Sequence, residues 1–247
     1  MKNLSISSFL LLAVFQTQAQ TPSYPTVLVE LFSSEGCSSC LSADAFLNRI
    51  IEISDSTQSP VYCLDYHVDI WNRSGWVDRF SDTSFSRRQR EYMVKSGQTA
   101  LFTPMVFVNG QGGYPGGAKK DIGQAVNNEL SKKPETQLRL KATYIAEKRM
   151  FNITYEVLGN IDSSSVNIAL AHKSIKNQIT GGENKDKTVV HHHTVIKWQR
   201  AEIDKLKTGT LLMQVPDELN ITDLLMIGFI QHEPTWKIKA TDQLIFR

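Results

Sequence analysis

The stretch Glu30-Leu-Phe-Ser-Ser-Glu-Gly-Cys-Ser-Ser-Cys-Leu-Ser-Ala-Asp-Ala-Phe-Leu-Asn-Arg-Ile50 decides how the rest of the chain is read. It contains two of the three cysteines, Cys37 and Cys40, separated by two serines. Before the cysteine pair runs Val27, Leu28, Val29, Leu31 and Phe32, a nearly continuous apolar segment of the kind found in a strand buried on both faces. After it, Leu41, Ala45, Leu47, Ile50 and Ile51 recur at helical spacing, so a helix is expected from Ser38 to Ile53. The C-x-x-C pair therefore falls at a strand-to-helix junction.

That position has chemical consequences. A cysteine at a helix N-terminus meets unpaired N–H groups and the positive end of the helix dipole, which favour its thiolate. Cys37 is the expected nucleophile and the more exposed of the two. Cys40, one turn on, is placed to resolve a mixed disulfide. Two other uses compete with exchange. A structural zinc site needs four ligands, and Cys63 and His67 supply no second pair at metal spacing, so no metal is assigned. An inert bridge is the stronger rival in an exported protein. Cu(I) held by Cys37, Cys40 and a histidine is a third idea, since paired thiolates suit that ion.

Export is read from the first residues. Lys2, the apolar run from Phe9 to Phe15 and Thr17-Gln18-Ala19 form a signal-peptide pattern, with residues 1–19 removed. The run is too short for a permanent membrane anchor, and no stable membrane insertion is expected. Residues 24–133 and 134–247 are expected to form separate domains, working in the periplasm or beyond. The 247 residues are 41% hydrophobic and carry a net charge of +2 with both signs interspersed. That balance gives no electrostatic case for nucleic acid.

Downstream of the first helix, Val61 to Val68 reads as a second buried strand, Ser81 to Gly97 as a helix, Phe102 to Gly110 as a strand with a turn, and Ala118 to Lys133 as a last helix. From Pro134 onward about seven alternating segments suggest strands of an antiparallel β-sandwich. A proline opens the third strand, and a cis bond at Thr103-Pro104 would turn backbone groups of Thr103 toward a bound thiol partner. Glu30, inside the first apolar run, would act as a proton shuttle for the resolving thiol if buried, or as a half-exposed strand carboxylate if not. His67 is a candidate to stabilise the Cys37 thiolate. Trp71 and Trp76 form either a binding lip over the cysteines or the pins of a rigid loop. Arg87, Arg88 and Arg90 are expected to face solvent or to pair with Asp78, Asp82 and Glu91.

The segments VELFSSEGCSSC, HVDIWNRSGW, FSRRQREYM and TPMVFVNG, in this order, resemble a family of secreted bacterial thioredoxin-like proteins catalogued as a domain of unknown function. The resemblance covers about residues 26–133 closely and the following strands loosely. It implies an α/β thioredoxin-like domain, a mixed sheet flanked by helices, followed by an all-β antiparallel sandwich. It also implies a reactive Cys37, a resolving Cys40 and a cis bond before Pro104, but no substrate; the redox reading of the cysteines itself leads to a protein or peptide thiol or disulfide as partner and to no cofactor beyond the cysteines. The family usually has proline directly after the second cysteine, where this chain has Leu41.

Two features stay outside that scheme. Cys63 is read as an inert core thiol. His191, His192 and His193 are consecutive, so only the first and third share a strand face. With no acid or thiol near them in sequence they are expected on a solvated strand or loop. Asn184, His192 and Lys197 correspond loosely to a patterned stretch of the related family.

Overall fold

The structure is a computed structural model, and it describes residues 24–247. The signal peptide expected over residues 1–19 lies outside the described residues. In chain order the elements are β1 (Val27–Ser33), α1 (Cys40–Thr57), β2 (Val61–His67), α2 (Thr83–Lys95), β3 (Met105–Val108), β4 (Gln111–Pro115) and α3 (Lys119–Leu130). Strands β5 (Thr136–Ile145), β6 (Met150–Gly159), β7 (Ser164–His172), β8 (Ser174–Gln178) and β9 (Thr188–His192) follow. The last are β10 (Val195–Glu202), β11 (Thr208–Gln214), β12 (Leu224–His232) and β13 (Ile238–Ile245).

These strands make four separate sheets. The first has the order β2-β1-β3-β4, with β1 parallel to β2 and antiparallel to β3. The second has the order β10-β7-β12-β13 and the third β11-β6-β5, while β8 and β9 form a two-stranded ribbon. All pairings in the last three sheets are antiparallel.

Side-chain alternation along the strands explains how the layers stack. On β1, Val27, Val29 and Leu31 face α1 and α3, where they pack with Ala43, Leu47, Ile51 and Ile122. The intervening Leu28 and Phe32 face the other way and join Tyr66, Phe107, Ala169, Ile227 and Phe229. The second sheet is likewise used on both faces. Leu225, Ile227 and Phe229 of β12 point at the first sheet, whereas Leu224, Met226 and Ile230 pack with Leu140, Phe151 and Ile153 of the third. The second sheet is thus a middle layer, which is why nearly every residue of β7 and β12 is buried.

This arrangement overturns the expected fold class, a helix-flanked thioredoxin-like domain followed by a β-sandwich of its own. The described residues hold thirteen strands and three α-helices, so most of the regular structure is β. One face of the first sheet is covered by strands of the second, with α2 adding Phe85 and Tyr92 to that same layer. The physical reason is the apolar surplus on β7 and β12. A sandwich sheet with one solvated face alternates apolar and polar residues, and these two strands do not. The region after Pro134 also holds nine strands rather than about seven.

Candidate functional site

The cysteine turn is built from both halves of the chain. β1 ends at Ser33, and residues 34–39 form the turn before α1 begins at Cys40. Cys37 and Cys40 are joined in a disulfide, with Cα atoms 5.3 Å apart. The backbone N–H of Cys37 donates to the Ser34 carbonyl at 3.2 Å, and that of Cys40 to the Cys37 carbonyl at 3.1 Å. Asn184, which is fully buried, donates from Nδ2 to the carbonyls of Glu35 at 2.8 Å and Cys37 at 3.0 Å. Glu183 accepts from the Ser38 N–H at 3.2 Å. Both cysteines are buried, Cys37 at 2% and Cys40 at 1% exposure, so Cys37 is not the distinctly exposed member that its position suggests. The two serines between them are exposed.

The tryptophan loop closes against this turn. Trp71 packs on Gly36, where a β-carbon would lie 3.0 Å from Trp71 Cβ, so the close approach needs the glycine. The Trp71 indole donates to Thr103 Oγ1 at 2.7 Å, and the Thr103-Pro104 bond is cis. The Trp76 indole donates to Glu35 Oε2 at 2.8 Å. Both indoles are therefore tied to the protein itself. Pro104 approaches the start of α1 through the space beside Gly116 and Ala43.

Glu30 is buried, but away from the cysteines. Its alternation on β1 turns it into the layer between the first two sheets, where Arg88 donates to Oε1 from Nε at 2.9 Å and from Nη2 at 2.7 Å. Tyr92 donates to its other oxygen. The expected solvent-facing Arg88 is instead one of the most buried side chains, ringed by Tyr66, Tyr92, Trp198, Phe229 and Trp236. A guanidinium stacks on aromatic faces and donates several N–H bonds, here two to one carboxylate oxygen, which offsets the desolvation that would otherwise keep it at the surface.

His67 also has partners other than sulfur. It lies 2.7 Å from Asp78 through Nδ1 and 3.1 Å from Asp65 through Nε2. Burial alone would depress its pKa, yet the two carboxyl groups hold it well above the usual histidine range. The same proximity holds Asp78 below its ordinary value despite burial.

His191 corrects the reading of the histidine run as a solvated segment. It is buried, with Nδ1 2.9 Å from Asp44 Oδ2 and Nε2 3.1 Å from Glu35 Oε1. Burial pulls its pKa down, and the bonds to Asp44 and Glu35 outweigh this and lift it to about 9. Its ring stands edge-on to His67 with centroids 4.8 Å apart. His193 is buried too, in a left-handed backbone conformation, and its pKa is driven down to about 4 by burial.

Beneath the cysteine turn, then, lie Glu35, Asp44, Asp65, His67, Asp78 and His191, all buried. Sequence reasoning missed the assembly. His191 is 147 residues from Asp44 and 156 from Glu35. One signal was available: Asp65 and His67 sit two apart in an apolar strand, hence on one face. Cys63, on the same strand, is buried and free, and burial raises its thiol pKa.

The chain matches, over residues 28–231, a family described as a protein of unknown function, DUF1223. It belongs to that family. A search of curated proteins gave no match. Among solved structures, a protein of Agrobacterium tumefaciens shares 21% identity at a TM-score of 0.69, over 91% of this chain and 96% of that one. HBP35 of Porphyromonas gingivalis shares 16% identity at a TM-score of 0.66, over 91% of this chain and 76% of that one. At such identities the likeness is one of fold. The family assignment brings no activity with it, so the site has to be argued from its own chemistry.

Proposed function

We propose that this DUF1223 protein is a thiol–disulfide oxidoreductase acting outside the cytoplasm on protein or peptide thiols. The observation that carries the reading is the placement of the Cys37–Cys40 disulfide at the first turn of α1, above buried acids and histidines rather than above apolar core. Buried titratable groups cost folding energy, and they gather where protons must be handled.

In the oxidising direction a partner thiolate attacks Cys37 Sγ. The Cys37–Cys40 bond breaks, Cys40 leaves as a thiolate, and a mixed disulfide joins Cys37 to the partner. The partner's second thiolate attacks its own sulfur in that bond and expels Cys37. The partner departs as a disulfide, and its two electrons and two protons remain on the Cys37–Cys40 pair. Run backward, the cycle reduces a partner disulfide. The helix N-terminus favours the Cys37 thiolate in either direction.

A second reading is favoured by the 2% and 1% exposure of the two sulfur residues. In it the disulfide is a permanent staple, and the chain is a secreted binding module.

Redox titration of the purified protein in glutathione buffers separates the two. A potential between about −270 and −120 mV, with partners trapped by Cys40→Ser, fits exchange. A potential below about −300 mV marks a structural bridge and sinks the oxidoreductase reading.

A further inference from the structure

We propose that Asp65, His67 and His191 bind a divalent transition-metal ion, with zinc the best fit to the donor set, at a buried site separate from the cysteine pair. One donor atom from each of the three residues lies within 4.8 Å of the others. Around a zinc ion, donors at the usual bond lengths of about 2.0–2.2 Å lie roughly 3.3 Å apart in a tetrahedron. The widest pair therefore has to close by at most about 1.5 Å, within reach of rotamer adjustment.

The outer contacts make the stronger case. Nδ1 of His67 faces Asp78 at 2.7 Å, and Nδ1 of His191 faces Asp44 at 2.9 Å. A histidine that ligates a metal through Nε2 donates its Nδ1–H to a carboxylate in the same manner, which fixes ring orientation and tautomer. Here both histidines have that arrangement, and both present Nε2 to a carboxyl oxygen: Asp65 at 3.1 Å and Glu35 at 3.1 Å. Glu35 stands beside His191 and outside this group, since its Oε1 also accepts from Asn177 at 2.7 Å and its Oε2 from Trp76; the chain thus supplies three ligands, N₂O, and leaves the fourth position to water. Asp65 is further oriented by Ser33, whose hydroxyl donates to its other oxygen at 2.7 Å. The remaining oxygen of Asp44, Oδ1, is buried with no hydrogen-bond partner.

An entry route is also visible. Phe80 stands edge-on to both histidines, with centroids 5.4 Å from His67 and 5.7 Å from His191. On its other side it lines a cleft of about 450 Å³ together with Arg79, Asp82 and His172. Phe80 is the wall between that cleft and the cluster. Bound there, an ion would tie β2 to β9, and through Asp44 to α1.

The test uses full-length oxidised protein, stripped with chelator, then loaded with Zn²⁺ and dialysed. Elemental analysis should find one zinc per chain, and thermal unfolding should shift up by about 5–10 °C when free Zn²⁺ is a hundred times Kd. Co²⁺ should give visible bands of nitrogen–oxygen coordination without the sulfur-to-metal charge-transfer band. Asp44→Asn and Asp78→Asn should each weaken binding about 10- to 100-fold. His67→Gln with His191→Gln should abolish it, and Cys37→Ser with Cys40→Ser should leave it intact. Phe80→Ala should speed uptake without changing the stoichiometry. Absence of retained zinc and of any thermal shift in the unsubstituted protein would overturn the site, even if the histidine variants fail to fold. So would binding that survives loss of both histidines, which would place the ion on surface groups such as His232. The outcome is independent of the redox titration, because the cysteines stay oxidised throughout.

Discussion

Replacing Arg88 with methionine should be among the most damaging single changes in the molecule, and a companion change at Glu30 should relieve part of the damage. Arg88 supplies two of the three hydrogen bonds seen on the Glu30 carboxylate, from Nε and Nη2. Both side chains are fully buried. Methionine keeps most of the apolar stem against the surrounding rings but leaves Glu30 with Tyr92 alone. Leaving one member of a buried ion pair without its partner costs about 3–5 kcal/mol. Glu30→Gln should cost a similar amount, since it strands the guanidinium among Tyr66, Trp198 and Phe229. With both changes no unpaired charge remains, so the double variant should be less destabilised than the sum of the singles by about 2 kcal/mol. Urea unfolding of all four proteins with the disulfide intact, followed by fluorescence, measures this coupling. Additivity within about 0.5 kcal/mol, or single costs under 1 kcal/mol, would refute the reading that this buried pair ties α2 to β1. The redox potential serves as a control. Glu30 is held by Arg88 and Tyr92, so Glu30→Gln should leave the Cys37–Cys40 potential unchanged.

Three further outcomes are expected. His193 has a folded pKa of about 4 against an ordinary 6.5, so its buried neutral ring contributes stability that is present above pH 6.5 and lost as pH falls through 4. His193→Asn, which tolerates the left-handed backbone, should remove about 3 kcal/mol of that acid-side loss, seen as the difference between the two stability–pH curves; parallel curves would exclude it. Asn184→Ala removes the side-chain donor shared by the Glu35 and Cys37 carbonyls and leaves the latter with the Cys40 N–H alone, so opening of the turn should become easier and reduction of the disulfide by dithiothreitol roughly 10- to 100-fold faster; an unchanged rate would mean that Asn184 does not guard the bond. Cys63 should resist iodoacetamide in the native protein and react once per chain in urea without reductant, read by mass spectrometry.

Individual segments were legible in the sequence where a pattern is local. The apolar run at Val27–Phe32 and the helical spacing after Cys40 locate β1 and α1, and the family match bears out the resemblance as far as a domain of unknown function, not its thioredoxin-like part. What could not be read is what the second face of β1 meets. Leu28, Glu30 and Phe32 share that face, and a glutamate between two apolar residues looks like either a solvated edge or a buried charge. Its partner Arg88 lies 58 residues away, and the strands that cover both begin past residue 160. The acidic and histidine cluster was hidden for the same reason. His191 stands in a run with no acid beside it, and the ribbon β8–β9 delivers it to Asp44 on α1 only in three dimensions. Trp71 packs on Gly36 of the cysteine turn and Trp76 bonds to Glu35, and the indole donors of the two are occupied by Thr103 and Glu35.

The middle sheet has a consequence for the order in which the protein is made. Phe32, Tyr66 and Phe107 belong to segments that leave the ribosome early, and their cover comes from residues 169–238. During synthesis, the front of the chain carries an open aromatic face while its lid is still being translated. Native assembly therefore waits for the last hundred residues. A holding factor that shields aromatic surface would act in that interval, and a stalled chain ending near residue 133 would be left sticky rather than folded.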